Sequence, residues 1–179
     1  MRDTPVIVIV NKMDRDGKFP FDLMDEIEKD LNLPLHPLTW PINMGREFKG
    51  VYNLYEKSLN LYPPNQKGIE DNSIAIEDLT DPVLDQRVGA KDAAQLREDV
   101  DLLDGVYGDL DVAAYLSGQV APVFFGSAVN NFGIREMLDT FVRIAPNPKC
   151  RETTEREVCP GDAKFSGFIF KIHANLDPR

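Results

Sequence analysis

The hydrophobic residues of this chain follow two patterns, and each pattern occurs twice. Val6 to Val10 form an unbroken β-branched run, and Pro122 to Phe125 form a second, shorter apolar run. Runs of this kind are typical of strands that are buried on both faces of a parallel sheet. Each run is followed by polar residues and then by apolar residues spaced three and four apart, which predicts a helix. The pattern therefore predicts two strand–helix units of an α/β protein.

The two predicted helices have clear ends. The first begins near Asp22, a residue type that caps helix N-termini, and ends before Pro34. The second is the most clearly amphipathic segment of the chain and ends before Pro146. Its apolar positions are Ile134, Met137, Leu138, Phe141 and Val142.

A long segment with a different pattern separates the two units. Aromatic and aliphatic residues alternate from Leu35 to Tyr62, which predicts short strands and a hairpin. We expect a surface loop or a weakly ordered strand from Pro63 to Asp78, and two helices after it. We interpret residues of about 35–118 as an inserted α+β subdomain.

The last part of the chain has a third pattern. A polar, proline-containing linker runs from residue 148 to about Ala163, and the letters FSGFIFKI after it alternate in polarity. This alternation predicts one strand that opens a further domain. Cys150 and Cys159 lie in the linker without the spacing of a zinc site, so we expect free thiols rather than a disulfide.

Charge and composition narrow the possible functions. The chain has 20 Lys and Arg residues against 30 Asp and Glu residues, which gives a formal net charge of −10. This charge argues against broad binding to nucleic-acid phosphates, including direct DNA binding, and against an anionic membrane surface. The sequence shows no apolar run of about 20 residues and no signal peptide, so we expect a cytoplasmic protein.

The candidate chemistry lies at the ends of the two apolar runs. The first run ends in Asn11, Lys12 and Asp14, a pattern that suits a guanine base. The Asp14 carboxylate can accept from the ring N1–H and the exocyclic amine together, and adenine offers no such donor pair. Asn11 can bond the far edge of the base or tie neighbouring loops, while the alkyl stem of Lys12 lies along the ring.

The second run ends in the turn Gly126-Ser127-Ala128. Parallel strands of one sheet present their carboxyl ends at the same edge, so both turns can meet one ligand there. Ser127 can hold the Asp14 carboxylate, and the backbone N–H of Ala128 can donate to the guanine carbonyl. A complete metabolic α/β enzyme with a chance match is the weaker alternative, because we find no acid–base or nucleophile constellation outside the two turns.

Several segments resemble one known family. The letters TPVIVIVNKMDRD, TWPI, FKGVYNLY, APVFFGSAVNNFG and FSGFIFKIHANLDPR are similar to the bacterial peptide chain release factor 3 family, translational GTPases related to elongation factor G. The resemblance extends over essentially the whole chain. It implies that Asn11, Lys12 and Asp14 belong to the fourth guanine-nucleotide motif, and Ser127 and Ala128 to the fifth.

The resemblance also implies an architecture and a role. The chain would be a fragment with a partial P-loop GTPase-type parallel sheet, of which it supplies the last two strands. Residues 1–147 would be the C-terminal half of the GTPase domain, and residues 148–179 a linker and the first strand of a β-barrel. The parent would use GTP to release class I release factors from the ribosome. An elongation factor G-like fragment, or a module docking to the ribosomal stalk through the insertion, are the alternatives.

The parts that hydrolyse GTP have no match in this sequence. A phosphate loop reads G-x-x-x-x-G-K-S/T, but the nearest approach, Gly45 to Gly50, is followed by Val51 and Tyr52. We therefore expect base contacts to GTP or GDP only, no magnesium ligands and no hydrolysis by the chain alone. His36 and His173 are interpreted as structural or solvated residues.

The first apolar run has a further consequence. If Val6 to Val10 pair with the second run on one side only, their other edge is apolar and uncharged. Such an edge favours pairing with another strand. We therefore expect self-association of the chain through this edge.

Overall fold

A computed structural model describes residues 4–62, 73–76 and 78–172 of the chain. Up to residue 62 its elements are β1 (Val8–Val10), α1 (Pro20–Leu31), β2 (Leu35–Pro37), β3 (Thr39–Ile42), β4 (Gly50–Asn53) and β5 (Ser58–Leu61), with a 3₁₀ turn at Gly45–Glu47. From residue 73 they are β6 (Ser73–Ala75), α2 (Pro82–Val88), α3 (Ala90–Val106), α4 (Val112–Leu116), β7 (Ala121–Phe125), α5 (Ile134–Ile144), β8 (Arg151–Glu152) and β9 (Glu157–Val158).

The two apolar runs are neighbours in one parallel sheet, as the sequence predicts. In the described part of the chain this sheet has the strand order β1-β7-β2, and Val8 pairs with Val123. The five residues of β7 are all buried, whereas β1 is half-buried because it lies at an edge. The α/β fold class with a parallel sheet is therefore confirmed.

The position of the third strand, β2, in this sheet is not expected from the sequence. We assigned Leu35 to the inserted subdomain, but the structure pairs it with Ala121 of β7. Ala121 also donates its backbone N–H to the Pro34 carbonyl at 2.9 Å. Three residues that end in Pro37 do not indicate which sheet a strand joins, and proline is tolerated there because the strand is at an edge.

The predicted hairpins form a second, antiparallel sheet. Its order is β3-β4-β5-β6, and Trp40 of β3 pairs with Tyr52 of β4. Part of the expected loop, residues 63–72 and 77, lies outside the described residues, and residues 73–75 are a strand. Trp40 is 1% exposed, and its ring centroid lies 4.5 Å from that of Phe21 in α1 and 5.4 Å from that of Phe125 in β7. The two sheets therefore share one hydrophobic core.

The first helix begins earlier than predicted. α1 starts at Pro20, with Phe19 as the capping residue and no side-chain hydrogen bond at the cap, so the assignment of Asp22 as the cap is wrong. Proline is favoured at the first helical position because its fixed φ matches the helix and the N–H it lacks would have no partner there. Asp22 instead lies in the first turn, where a negative charge is favourable.

Residues 146–172 belong to a second compact unit. Its strands β8 and β9 form a hairpin in which Arg151 pairs with Val158, so that Cys150 and Cys159 lie opposite each other. Their Cα atoms are 4.2 Å apart and the two sulfurs form a disulfide, so the expectation of free thiols is wrong. The hairpin brings the two cysteines together, and the linker sequence did not predict a hairpin.

The strand predicted for the letters FSGFIFKI is also absent. Residues 165–172 have no assigned secondary structure and are exposed. Phe168 and Phe170 are each 86% exposed. A strand needs a neighbour to satisfy its backbone groups, and the described residues provide none for this segment. Among the described residues, no helix is both long enough and apolar enough to cross a membrane.

Candidate functional site

The residues from Asn11 to Asp14 form a tight turn directly after β1. The N–H of Met13 donates to the Gly126 carbonyl at 3.0 Å, which extends the pairing of β1 with β7 by one step. Lys12 has a φ of 70°, the left-handed conformation, and the N–H of Arg15 donates back to its carbonyl at 2.9 Å. Met13 is buried in the core, so the side chains on either side of it face outward.

The residues from Gly126 to Gly133 form a closed loop directly after β7. Ser127 and Phe132 exchange backbone hydrogen bonds in both directions, at 2.8 and 2.9 Å. Gly126 and Gly133 permit this closure, because a Cβ at either position would lie 2.3 Å from a carbonyl oxygen of the opposite side. Ser127 is 1% exposed, whereas Ala128 at the tip is exposed.

One side chain joins the two turns. The Oδ1 atom of Asn11 accepts the N–H of Ala128 at 2.9 Å and the N–H of Lys12 at 2.8 Å. Of the two roles that the sequence left open for Asn11, the structure shows the tie between loops. It also shows that the Ala128 N–H, which we expected to face a guanine carbonyl, has Asn11 as its acceptor here.

The other two predicted residues are close to this junction but not joined to each other. The Asp14 carboxylate is half-buried, and it has no hydrogen-bond or ion-pair partner among the described residues. The Oγ atom of Ser127 accepts from Nδ2 of Asn130 at 3.0 Å. The serine hydroxyl therefore still has its own proton to donate, and the carboxylate still has its acceptor sites.

The two turns present polar groups to solvent. Asn11, Lys12 and Ala128 are exposed, and Asp14 is within reach of solvent. Together they offer a carboxylate, an amide, a cationic side chain with a long apolar stem, and a backbone donor. These groups could contact the edge and one face of a purine, and no buried residue would have to move for this.

The one cluster of potential metal ligands among the described residues does not suit magnesium. Magnesium is held by oxygen ligands such as carboxylates. The one group of three or more potential metal ligands in the described part of the chain is Cys150, Glu157 and Cys159, and its two sulfurs form the disulfide. His36 is 8% exposed, and burial lowers the pKa of its imidazole, as expected for a structural histidine.

Sequence reasoning missed the residues that support the second turn. Asn130 bonds Ser127, and Phe132 closes the loop. Gly133 has no room for a Cβ and donates its N–H to the hydroxyl of Tyr62 at 2.7 Å. The glycines on both sides of the loop were a usable signal for close backbone approach, but the contact with Tyr62 spans 71 positions in sequence and has no local signal.

Comparison with known proteins identifies the family. Residues 1–147 match the family described as "Elongation factor Tu GTP binding domain". The fold is also similar to that of a Thermus thermophilus protein with a known crystal structure. The match covers 81% of this chain and 23% of that protein, with a TM-score of 0.51 and 19% sequence identity. This chain therefore spans about a quarter of that protein, and at this identity the similarity shows a shared fold. Because the family match takes in 147 of 179 residues, the chain belongs to the Elongation factor Tu GTP binding domain family and so to the translational GTPases.

Proposed function

We propose that this chain recognises the guanine base of GTP and GDP through Asn11, Lys12, Asp14, Ser127 and Ala128. The single observation that supports this most directly is the hydrogen bond from the Ala128 N–H to Oδ1 of Asn11, at 2.9 Å. It joins the two predicted motifs directly, although they are 117 positions apart in sequence.

The proposed contacts use groups that are free or exchangeable. Asp14 accepts from N1–H and the 2-amine of guanine, which is a charge-assisted pair of hydrogen bonds. The guanine carbonyl replaces Asn11 as the acceptor of the Ala128 N–H. The hydroxyl of Ser127 donates to Asp14 while it continues to accept from Asn130.

A nuclear magnetic resonance titration tests this proposal. Guanosine monophosphate should shift the amide signals of Lys12 and Ala128 with a dissociation constant of about 1 mM or weaker, since base contacts alone supply about 4 kcal/mol. Adenosine monophosphate is the matched control, because it carries the same phosphate and lacks the donor pair. Equal shifts with both nucleotides would contradict base recognition.

We also propose that the chain alone hydrolyses no GTP, because its sequence has no phosphate loop. A phosphate-release assay measures this directly. Turnover above the buffer rate, in a preparation that is free of other GTPases, would contradict the proposal.

For the whole protein we propose the release-factor role, the GTP-dependent release of class I release factors from the ribosome in the cytoplasm. The support is the resemblance of TWPI and FKGVYNLY to that family rather than to elongation factor G. A chimaera that carries this chain in place of the matching segment of a known release factor 3 tests it. The chimaera should still dissociate class I release factors from the ribosome. If it does not, while the same replacement in elongation factor G keeps translocation activity, the elongation factor G-like alternative is favoured.

Docking to the ribosomal stalk is a second candidate function. Leu102 and Val106 of α3 are 60% and 73% exposed and lie one helical turn apart, so they form an apolar strip on the inserted part of the chain. Titration with purified stalk protein should show binding that Leu102→Glu weakens and that Asp104→Ala, on the opposite side of the helix, leaves unchanged. The absence of binding at high micromolar concentration would remove the support for this candidate.

Self-association through β1 is the remaining partner proposal. β1 lies at an edge of the parallel sheet, and Val6 beside it is 42% exposed. We expect light scattering to show dimers or larger species at high concentration. Val6→Lys should reduce them, because a lysine on a sheet edge opposes strand pairing. A monomer at all concentrations would contradict this proposal.

A further inference from the structure

The position of the Ser127–Ala128 turn depends on the other end of its loop. Ser127 is paired with Phe132 by two backbone hydrogen bonds, and Gly133 follows at a φ of 73°. Gly126 and Gly133 lie so close that a Cβ on either would overlap the opposite backbone. Whatever fixes Phe132 and Gly133 therefore also fixes the turn that would meet the base.

Tyr62 holds that end of the loop by two contacts. Its hydroxyl accepts the N–H of Gly133 at 2.7 Å. Its ring stacks on Phe132, with centroids 4.3 Å apart and planes inclined by 6°. The ring of Phe48 lies 6.0 Å from Tyr62 and 6.2 Å from Phe132, so three aromatic rings form one cluster.

Tyr62 is itself fixed to the antiparallel sheet. It directly follows β5, and its N–H donates to the Lys49 carbonyl at 2.9 Å. The last pair of that ladder joins Leu61 to Gly50, where a Cβ would lie 2.1 Å from the Asn60 carbonyl oxygen. The tyrosine therefore begins at the end of β5, an inner strand that packs closely against β4, and its ring reaches the loop.

Glu136 orients the tyrosine hydroxyl. The hydroxyl donates to Oε1 of Glu136 at 3.3 Å, which leaves its lone pairs for the Gly133 N–H. The Oε2 atom of Glu136 is buried and has no hydrogen-bond partner. Burial raises the pKa of the Glu136 carboxyl, and burial together with Glu136 raises the pKa of the Tyr62 hydroxyl. The tyrosine therefore keeps its hydroxyl proton for the hydrogen bond to Glu136.

We propose that Tyr62 is a positioning residue for the guanine site and connects the antiparallel sheet to the Ser127–Ala128 turn. This inference rests on the proposed base recognition. Tyr62 does not touch the base. It holds Phe132 and Gly133, they hold Ser127, and the Ala128 N–H is thereby kept in place beside Asn11.

Tyr62→Phe tests the proposal, because it removes the hydroxyl and keeps the ring that stacks on Phe132. Tyr52→Phe is the matched control, since it removes a buried hydroxyl that donates to the Ile76 carbonyl at 3.2 Å within the antiparallel sheet. Amide hydrogen exchange at Ser127 and Phe132 should be about tenfold faster in Tyr62→Phe than in the control, as expected for one lost buried hydrogen bond. The dissociation constant for guanosine monophosphate should rise about three- to tenfold, with equal melting temperatures in the two variants.

The outcomes separate this inference from the proposed function. Unchanged exchange at Ser127 and Phe132 in Tyr62→Phe would overturn the positioning role. Faster exchange with unchanged affinity for guanosine monophosphate would also overturn it, because Tyr62 would then serve only the local structure. If the wild-type chain binds no guanosine monophosphate, the proposed function fails, and the exchange rates alone decide whether Tyr62 positions the turn.

Discussion

Replacement of Asn11 by alanine tests the junction of the two turns. The substitution removes the acceptor of two backbone hydrogen bonds, from Ala128 at 2.9 Å and from Lys12 at 2.8 Å. A neutral hydrogen bond contributes about 0.5–1.5 kcal/mol to stability. Both bonds are exposed to solvent, so water replaces part of the loss, and we expect the free energy of unfolding to fall by about 1 kcal/mol in total.

Asn11→Asp is the matched control, because it keeps an acceptor oxygen in the same place. We expect its stability within about 0.5 kcal/mol of the wild type. Urea unfolding can be followed by the fluorescence of Trp40, the single tryptophan of the chain, which is buried between Phe21 and Phe125. Exchange of the Ala128 amide should be about fivefold faster in Asn11→Ala, in keeping with about 1 kcal/mol.

The comparison of the two variants decides the question. If Asn11→Ala unfolds at the wild-type urea concentration, the bonds to Ala128 and Lys12 do not hold the turns together. If Asn11→Asp loses as much stability as Asn11→Ala, the loss does not come from the acceptor oxygen. Either result would refute the role that we assign to this side chain.

Further substitutions probe the loop after β7, helix α3 and the contacts of Trp40 and Glu136. Gly133→Ala should lower the free energy of unfolding by about 1–3 kcal/mol, because the backbone is left-handed and the new Cβ would lie 2.3 Å from the Phe125 oxygen. Gly105→Ala in α3 has open space for the new Cβ and should raise that free energy by about 0.5–1 kcal/mol. If the urea midpoints of Gly133→Ala and Gly105→Ala shift in the same direction, this account is contradicted. Asp99→Ala removes the acceptor of the Trp40 indole N–H at 2.8 Å and should cost about 1–3 kcal/mol in urea unfolding, against less than about 0.5 kcal/mol for Glu98→Ala. Burial raises the pKa of Glu136 above its ordinary 4.5, so the folded chain keeps a proton that the unfolded chain releases, and wild-type stability falls as the pH rises from about 4.5 toward the folded pKa. Glu136→Gln lacks this loss, and a difference in melting temperature that stays constant from about pH 4 to about pH 7 would contradict the raised pKa.

The sequence predicted the strands with strong patterns and missed those without one. The β-branched run and the PVFF run identified β1 and β7 because continuous burial leaves a local signal. β1 is shorter than the run, because pairing with β7 extends over Val8–Val10 only. β2 carries no such signal in its three residues, and its place in the sheet is set by contacts with β7.

The sequence likewise indicated the polar residues of the candidate site but not the residues that support them. The polar residues after each strand were visible in sequence, and strand pairing brings them together. Tyr62 and Glu136 were not visible as contributors, because their contacts with the loop depend on how the second sheet packs. Likewise the Cys150–Cys159 disulfide follows from the β8–β9 hairpin. The residues of these two strands are mostly polar and exposed, so their sequence has no hydrophobic pattern that would predict the hairpin.

The most direct test of base recognition is a change of specificity at Asp14. The wild-type chain and Asp14→Asn are titrated with guanosine and xanthosine monophosphates while the amide signals of Lys12 and Ala128 are followed. The carboxylate accepts from the guanine 2-amine, whereas an asparagine amide donates to the 2-oxo group of xanthine. We predict that the wild-type chain prefers the guanine nucleotide and that Asp14→Asn prefers the xanthine nucleotide. The same preference in both proteins would show that Asp14 does not read the base.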